Sequence, residues 1–339
     1  MNDRRFFQAA AGLVILFALG IVVKEARSVL FPFILAVFIS YVIDPVVAFL
    51  LKAGLPKAVA LGLILVGAFV ILYLFGAVIY SGGKTLAAEL PRYEQRLTDL
   101  AGWLEKASGG VPLKLRLASA LEKVNLQNLA SLVLSSLGTF VGLVSKLFVL
   151  FIFLAFIVAG RGRFTAKLAK ALGPERSEGI LRISTRANAQ VRKYLVIKTL
   201  TSLLNGLEVW LVMELFGVDF ALLFGFLAFL LNYIPNIGST VATILRVGFA
   251  YFQFGTPWVP LAVLVITVAL DTVIGNLIEP KAMGKGLGLS PLVVLFSLVF
   301  WGWLWGIPGM IIAVPLTAVV KIVCQNIPAL RPAAAFMGP

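Results

Sequence analysis

Apolar residues run in long stretches along most of this chain, with polar residues gathered in short clusters between them. The stretches at residues 6–23, 29–51, 58–80, 140–159, 194–216 and 258–279 approach or exceed the roughly 20 residues that a helix needs to cross a bilayer. Two further apolar regions are interrupted. Residues 221–231 would make only about 17 Å of helix, too short for a hydrocarbon core of about 30 Å. The break Asn232-Tyr233-Ile234-Pro235-Asn236-Ile237-Gly238 follows, and a second segment returns to residue 254. Residues 292–323 are broken at Trp305-Gly306-Ile307-Pro308-Gly309-Met310. Lipid cannot satisfy free backbone groups, so such breaks must be buried in protein or line a wet cavity. Each region therefore predicts a re-entrant hairpin, turned at Pro235 and Gly238 in the first and at Gly306, Pro308 and Gly309 in the second. Alanine at the Pro and Gly of a tip is expected to let helix run through the break. From residue 194 the order is helix, hairpin, helix, hairpin, with the hairpins entering from opposite sides. That is an inverted repeat of the kind that builds a transporter's binding site.

Residues 81–136 read differently, with charges of both signs and fewer apolar positions. Leu86, Leu90, Tyr93, Leu97, Leu100 and Leu104 share one face of an amphipathic helix, which Gly109-Gly110-Val111-Pro112 ends. This is a helical cap, serving either as packing for its own membrane domain or as a gate or partner surface. The organisation is then membrane helices over 1–80, cap over 81–138, a helix over 139–160, a basic helical segment over 161–193, and a transport core over 194–339. Arg4 and Arg5 before an apolar run resemble a signal peptide, but no convincing cleavage site follows, so that run is read as an uncleaved first span.

Composition agrees with this picture. Hydrophobic residues are 60% and charged residues 13% of the chain, about half the charge of an average soluble protein. The net charge of +14 reflects basic residues flanking apolar spans rather than a nucleic-acid surface. Arg161, Arg163, Lys167, Lys170, Arg176, Arg182, Arg186, Arg192, Lys193 and Lys198 form the most basic region, which the positive-inside rule places in the cytoplasm. The cap then lies outside and both termini inside. There is no histidine and a single cysteine, Cys324. Histidine metal sites, Ser-His-Asp triads, histidine proton relays and an internal disulfide are excluded together. Gly82-Gly83-Lys84-Thr85 lacks the first glycine of a phosphate loop, having Val78 there, and no strand precedes it. Gly284-Lys285-Gly286-Leu287-Gly288 has the wrong spacing for a dinucleotide fold. With no nucleotide motor, the energy must come from a gradient.

The candidate chemistry sits in and around the breaks. Asp271, Gly275 and Glu279 recur every four residues and share a helix face, bordered by Asn276. A carboxylate deep in a bilayer marks an ion or substrate path or is paired. Asp271 is either such a site or the partner of Arg246 or of a basic loop residue. Glu279 is nearer the membrane edge, before Pro280, and reads as interfacial. Asn205 and Glu208 share a face of their span, for helix packing or function. Glu214 and Asp219 lie near an end and read as solvated. Asn232 and Asn236 either satisfy freed backbone groups or bind a polar solute. Gly302, Gly306 and Gly309 suit close helix packing. Trp301, Trp303 and Trp305 suit an interfacial belt or a lid.

The segments 232–238 (NYIPNIG), 275–291 (GNLIEPKAMGKGLGLSP), 301–310 (WGWLWGIPGM) and 313–317 (AVPLT) resemble the signatures of the autoinducer-2 exporter family of bacterial permeases. Asp44-Pro45 and Leu55-Pro56-Lys57 match near the front, so the similarity covers nearly the whole chain. The chain departs from the family at Arg246, where an apolar residue or proline is usual. The resemblance implies an all-α polytopic membrane protein with about eight membrane helices, two re-entrant hairpins and a small extracytoplasmic helical part. It also implies a ring-like homo-oligomer, a pentamer, in the bacterial cytoplasmic membrane. The function expected is gradient-driven export of a small polar solute such as autoinducer-2 by alternating access. The alternative is exchange of sodium or another monovalent cation for protons, and a third is a membrane scaffold without transport. Neither an enzyme activity nor a cofactor or metal is expected, and the partners are solute, cation or proton, lipid and further copies of the chain.

Overall fold

The computed structural model describes residues 18, 20–70, 73–74, 76–77, 148–160, 170–171, 174–284 and 287–338. The cap over 81–138 lies outside the described residues, as do most of the first span and of the basic segment before residue 174. What is described is helical: α1 (Arg27–Lys52), α2 (Lys57–Val70), α3 (Phe148–Gly160), α4 (Pro174–Leu215), α5 (Ala221–Leu231), α6 (Ile237–Phe254) and α7 (Trp258–Val273). A π-helical turn, Ile274–Ile278, joins α7 to α8 (Glu279–Met283), and α9 (Pro291–Trp305), α10 (Ile307–Asn326) and α11 (Arg331–Phe336) complete the chain. Among the described residues four helices are long and apolar enough to cross a membrane: Arg27–Lys52, Asn188–Leu215, Trp258–Met283 and Ile307–Asn326. Lys57–Val70, Phe148–Gly160, Ala221–Leu231 and Pro291–Trp305 are shorter apolar helices. The chain is a multi-pass helical membrane protein.

Two compact units divide the described residues. The first draws on Met1–Lys52, Lys146–Val196 and Lys285–Pro339, the second on Ala53–Ser145 and Ile197–Gly284. In the first unit Phe38, Val191, Leu195, Leu304, Trp305 and Ile312 form the core. In the second the core is Val209, Met213, Val218, Ala221, Ala228, Ala242, Ala250 and Val263. Alanine supplies four of these eight residues, and such small side chains let helix backbones approach where lipid offers no hydrophobic drive between helices.

Each unit contains one of the interrupted apolar pairs, and the two turns share a device. Between α5 and α6 residues 232–236 leave the helix, with Asn236 at φ 61° and ψ -50°, the γ-turn geometry that the Ile237 N–H to Pro235 carbonyl bond closes. Gly238 then begins the return, and a Cβ there would lie 1.8 Å from the Leu231 carbonyl oxygen. Between α9 and α10 only Gly306 leaves the helix, at φ 72°. Pro308 and Gly309 already lie in the first turn of α10, and a Cβ on Gly309 would lie 2.1 Å from the Trp301 carbonyl oxygen. In both turns a glycine of the returning helix rests on a carbonyl of the helix before it. Alanine at Gly238 or Gly309 would therefore push two helices apart rather than carry one through, which corrects the expectation above. Trp301 adds a second tie by donating its indole N–H to Thr317 Oγ1 at 3.0 Å.

Candidate functional site

Helix α4 carries two polar stripes within the second unit. Lys198, Thr201, Asn205 and Glu208 recur at steps of three, four and three residues, which keeps them on one helix face. Thr199, Ser202 and Gly206 form the neighbouring stripe by the same spacing. Different elements meet each stripe, and the site is built where they meet.

The second stripe holds the α5–α6 turn. Tyr233 donates its hydroxyl to Thr199 Oγ1 at 2.8 Å, and Asn232 donates its amide N–H to Ser202 Oγ at 3.0 Å. Gly206 faces Gly225 of α5 so closely that a Cβ on either would fall 2.7 or 2.6 Å from the other's carbonyl oxygen. Asn236 is exposed, and its backbone carbonyl accepts from the hydroxyls of Ser239 at 3.2 Å and Thr240 at 2.8 Å. Asn232 thus ties its turn to α4 by its side chain, while Asn236 shapes the start of α6 by its backbone. Pro235 accepts from the Ile237 N–H at 2.7 Å, inside the turn.

The first stripe faces carboxylates. Lys198 Nζ donates to both oxygens of Glu279, at 2.9 and 3.0 Å, and Thr201 donates to Glu279 Oε2 at 3.2 Å. Farther along α4, the Asn205 amide donates to Asp271 Oδ1. From α6, Arg246 Nη2 donates to Asp271 Oδ2 at 2.7 Å and to Thr243 Oγ1 at 2.9 Å. Arg246 is only 1% exposed. The Glu208 carboxyl lies beside Asp271 and within the field of Arg246, with both oxygens shielded and no donor to either among the described residues.

The π turn makes this double engagement possible. Asn205 and Lys198 are seven residues apart on α4, whereas Asp271 and Glu279 are eight apart. Eight residues of plain α-helix would rotate Glu279 about 80° away from Asp271, at 3.6 residues per turn. The wider turn over Ile274–Ile278 absorbs the extra residue, so both carboxylates face α4. Single π turns inside α-helices mark functional places in many proteins. Gly275 and Asn276, within the turn, are exposed and outside this row of contacts.

The structure therefore brings Asn205, Glu208, Asp271 and Glu279 onto one row and Asn232 onto the adjoining stripe. Of the alternatives open for Asp271, the Arg246 pair is formed, and Glu279 is paired rather than freely hydrated. Gly306, Pro308 and Gly309 belong to the other unit. Sequence reasoning missed Lys198, counted above with the basic loop, and Thr201. The three-four-three spacing through Asn205 and Glu208 was the signal that could have found both. No group of three or more metal-ligating His, Cys, Asp or Glu side chains occurs among the described residues.

Comparison with known proteins supplies the context for this row. The model of the AI-2E family transporter matches residues 12–329. A Haemophilus influenzae chain, provisionally named a transport protein, is 34% identical over 344 aligned positions, covering 100% of this chain and 97% of the relative. The AI-2 transport protein TqsA of Escherichia coli K12 is 33% identical, covering 93% of this chain and 90% of the relative. A Borreliella burgdorferi chain, also provisionally named for transport, is 31% identical over 93% of this chain and 86% of its own length.

Proposed function

Because the chain belongs to the AI-2E family of transporters, we propose that it is a gradient-driven secondary transporter that exports a small polar solute by alternating access, with autoinducer-2 as the first solute to test. The observation that carries this reading is Asp271. It is held by Asn205 and Arg246 in a helix apolar enough to cross a membrane. Ionisable groups at that depth are costly and line ion or substrate paths. The adjoining stripe supports a polar solute. Its hydroxyls and amides, from Thr199, Ser202, Asn232 and Tyr233, pair with one another at the α5–α6 turn and would exchange those bonds for a ligand's.

The two turns are built alike, each with a glycine of the returning helix packed on a carbonyl of the helix before it, which supports the two hairpins as the paired moving parts of this reading. The membrane of this reading is the bacterial cytoplasmic membrane, and the basic flanks favour both termini inside. A ring of identical chains is the expected assembly.

The test is flux of labelled autoinducer-2 from proteoliposomes under imposed proton and sodium gradients. Accumulation that follows a gradient is expected. Flux indifferent to every gradient would overturn the secondary-transport mechanism, and no flux of this solute would overturn its choice as substrate.

A further inference from the structure

We propose that Glu208 carries one exchangeable proton, held against Asp271, with Arg246 as the fixed counter-charge of the pair. This deepens the transport reading and rests on it.

Charge counting comes first. Along the row, two cations, Lys198 and Arg246, stand against three carboxyls, Glu208, Asp271 and Glu279. Lys198 and Glu279 are committed to each other. Both Asp271 oxygens are also committed, one to Asn205 and one to Arg246. Glu208 is left over. With all groups ionised the row would hold one uncompensated negative charge out of water, an arrangement that low-dielectric surroundings strongly disfavour.

Hydrogen bonding points the same way. Two ionised carboxylates facing each other are acceptor against acceptor, and neither Glu208 oxygen has a donor among the described residues. One proton on Glu208 converts that opposition into an O–H donor aimed at Asp271 and removes the surplus charge, as in other carboxyl pairs that share a proton. The charged groups acting on Glu208 are Asp271 on α7 and Arg246 on α6; the further partners of those two, Asn205 on α4 and Thr243 on α6, are neutral. Helix α5 contributes no titratable residue.

A proton fits this position better than a metal cation. A bound cation needs several oxygens around it, whereas the Asp271 oxygens already accept from Asn205 and Arg246, which leaves lone pairs for one O–H but no open shell for an ion, and both Glu208 oxygens are enclosed. Arg246, 1% exposed with its Nε–H unpartnered, already occupies the place of the cation. Release follows when motion wets Glu208: the carboxylic acid gives its proton to water, and the carboxylate is then hydrated rather than held against Asp271.

Infrared difference spectroscopy of the purified protein in lipid, titrated with alkali and without any solute, reads this directly. A protonated carboxyl has a carbonyl stretch distinct from carboxylate bands. One such band should bleach with release of one proton per chain. It should be missing in Glu208→Gln and retained in Glu214→Gln, whose side chain is exposed. If Glu208→Gln does not fold, Asp271→Asn serves, because Glu208 would then pair with Arg246 as a carboxylate and the band should again vanish. A band that survives both variants, or none in the natural protein, overturns the proposal. So does a band abolished by sodium at constant pH, which would mean that a metal cation takes the site. Since no solute is present, a missing band leaves the transport reading standing, whereas a normal band with no solute flux does the reverse.

Discussion

Arg246 is bonded to Asp271 at 2.7 Å, and the two residues come from helices on either side of a loop, α6 and α7. Among the described residues the guanidinium is the one cation in its part of the row, while Asp271 has a second carboxyl, Glu208, beside it. The two members of this pair are therefore not equivalent.

Arg246→Gln leaves two carboxyls without a cation. Breaking a buried pair in this way costs about 3–5 kcal/mol. Asp271→Asn leaves Arg246 free to turn to Glu208, so the loss should be about 1–3 kcal/mol, the cost of a hydrogen-bonded buried group rather than of an orphaned charge. Unfolding midpoints in detergent check the order. Equal losses would show that Glu208 does not substitute for Asp271.

The glycine at each turn separates packing from flexibility. Gly238→Ala and Gly309→Ala place a Cβ 1.8 and 2.1 Å from a carbonyl oxygen, and overpacking of this kind costs about 1–3 kcal/mol or more. Gly248→Ala, on the same α6 helix but with nothing within 4 Å of the new Cβ, should instead gain up to about 1 kcal/mol from helix propensity. Thermal unfolding of the three variants side by side tests this. An undisturbed Gly238→Ala protein would contradict the close approach.

Deleting Asn276 should turn the π stretch into ordinary helix while keeping Asp271 and Glu279 in line, because the turn only absorbs one residue. In a background without Cys324, cysteines at positions 198 and 279 should then cross-link as readily with the deletion as without it. Loss of the cross-link on deletion would mean that the turn does not set this register. Gradient-driven flux is expected to fall at least tenfold in the deletion if the turn is a moving part.

Sidedness is open to labelling in the same cysteine-free background. Lys281→Cys and Arg331→Cys should react only from the cytoplasmic side, and Gly255→Cys only from outside, as the positive-inside rule requires. All three positions are exposed. The reverse pattern would invert the proposed topology and both hairpins with it.

Much of this protein was legible before any fold was known. Apolar runs of bilayer length fix helices one at a time, because in lipid a backbone has no other way to satisfy itself. Pro235 and Gly306 mark interruptions for the same local reason, and α5 emerges over the residues expected for it, 221–231. The row along α4 was not legible as a row. Lys198 looks like one more loop cation until Glu279, 81 residues on, is seen to accept its bonds. Asp271 and Glu279 cannot be aligned by counting plain helical turns, because the π turn that aligns them is a backbone choice without a strong sequence signal. Gly206 gives no warning that Gly225 lies against it. Hydrophobic patterning acts on each segment separately, so sequence alone determines the spans and their breaks. Which buried charge meets which depends on how helices distant in sequence are rotated against one another, and packing in three dimensions decides that.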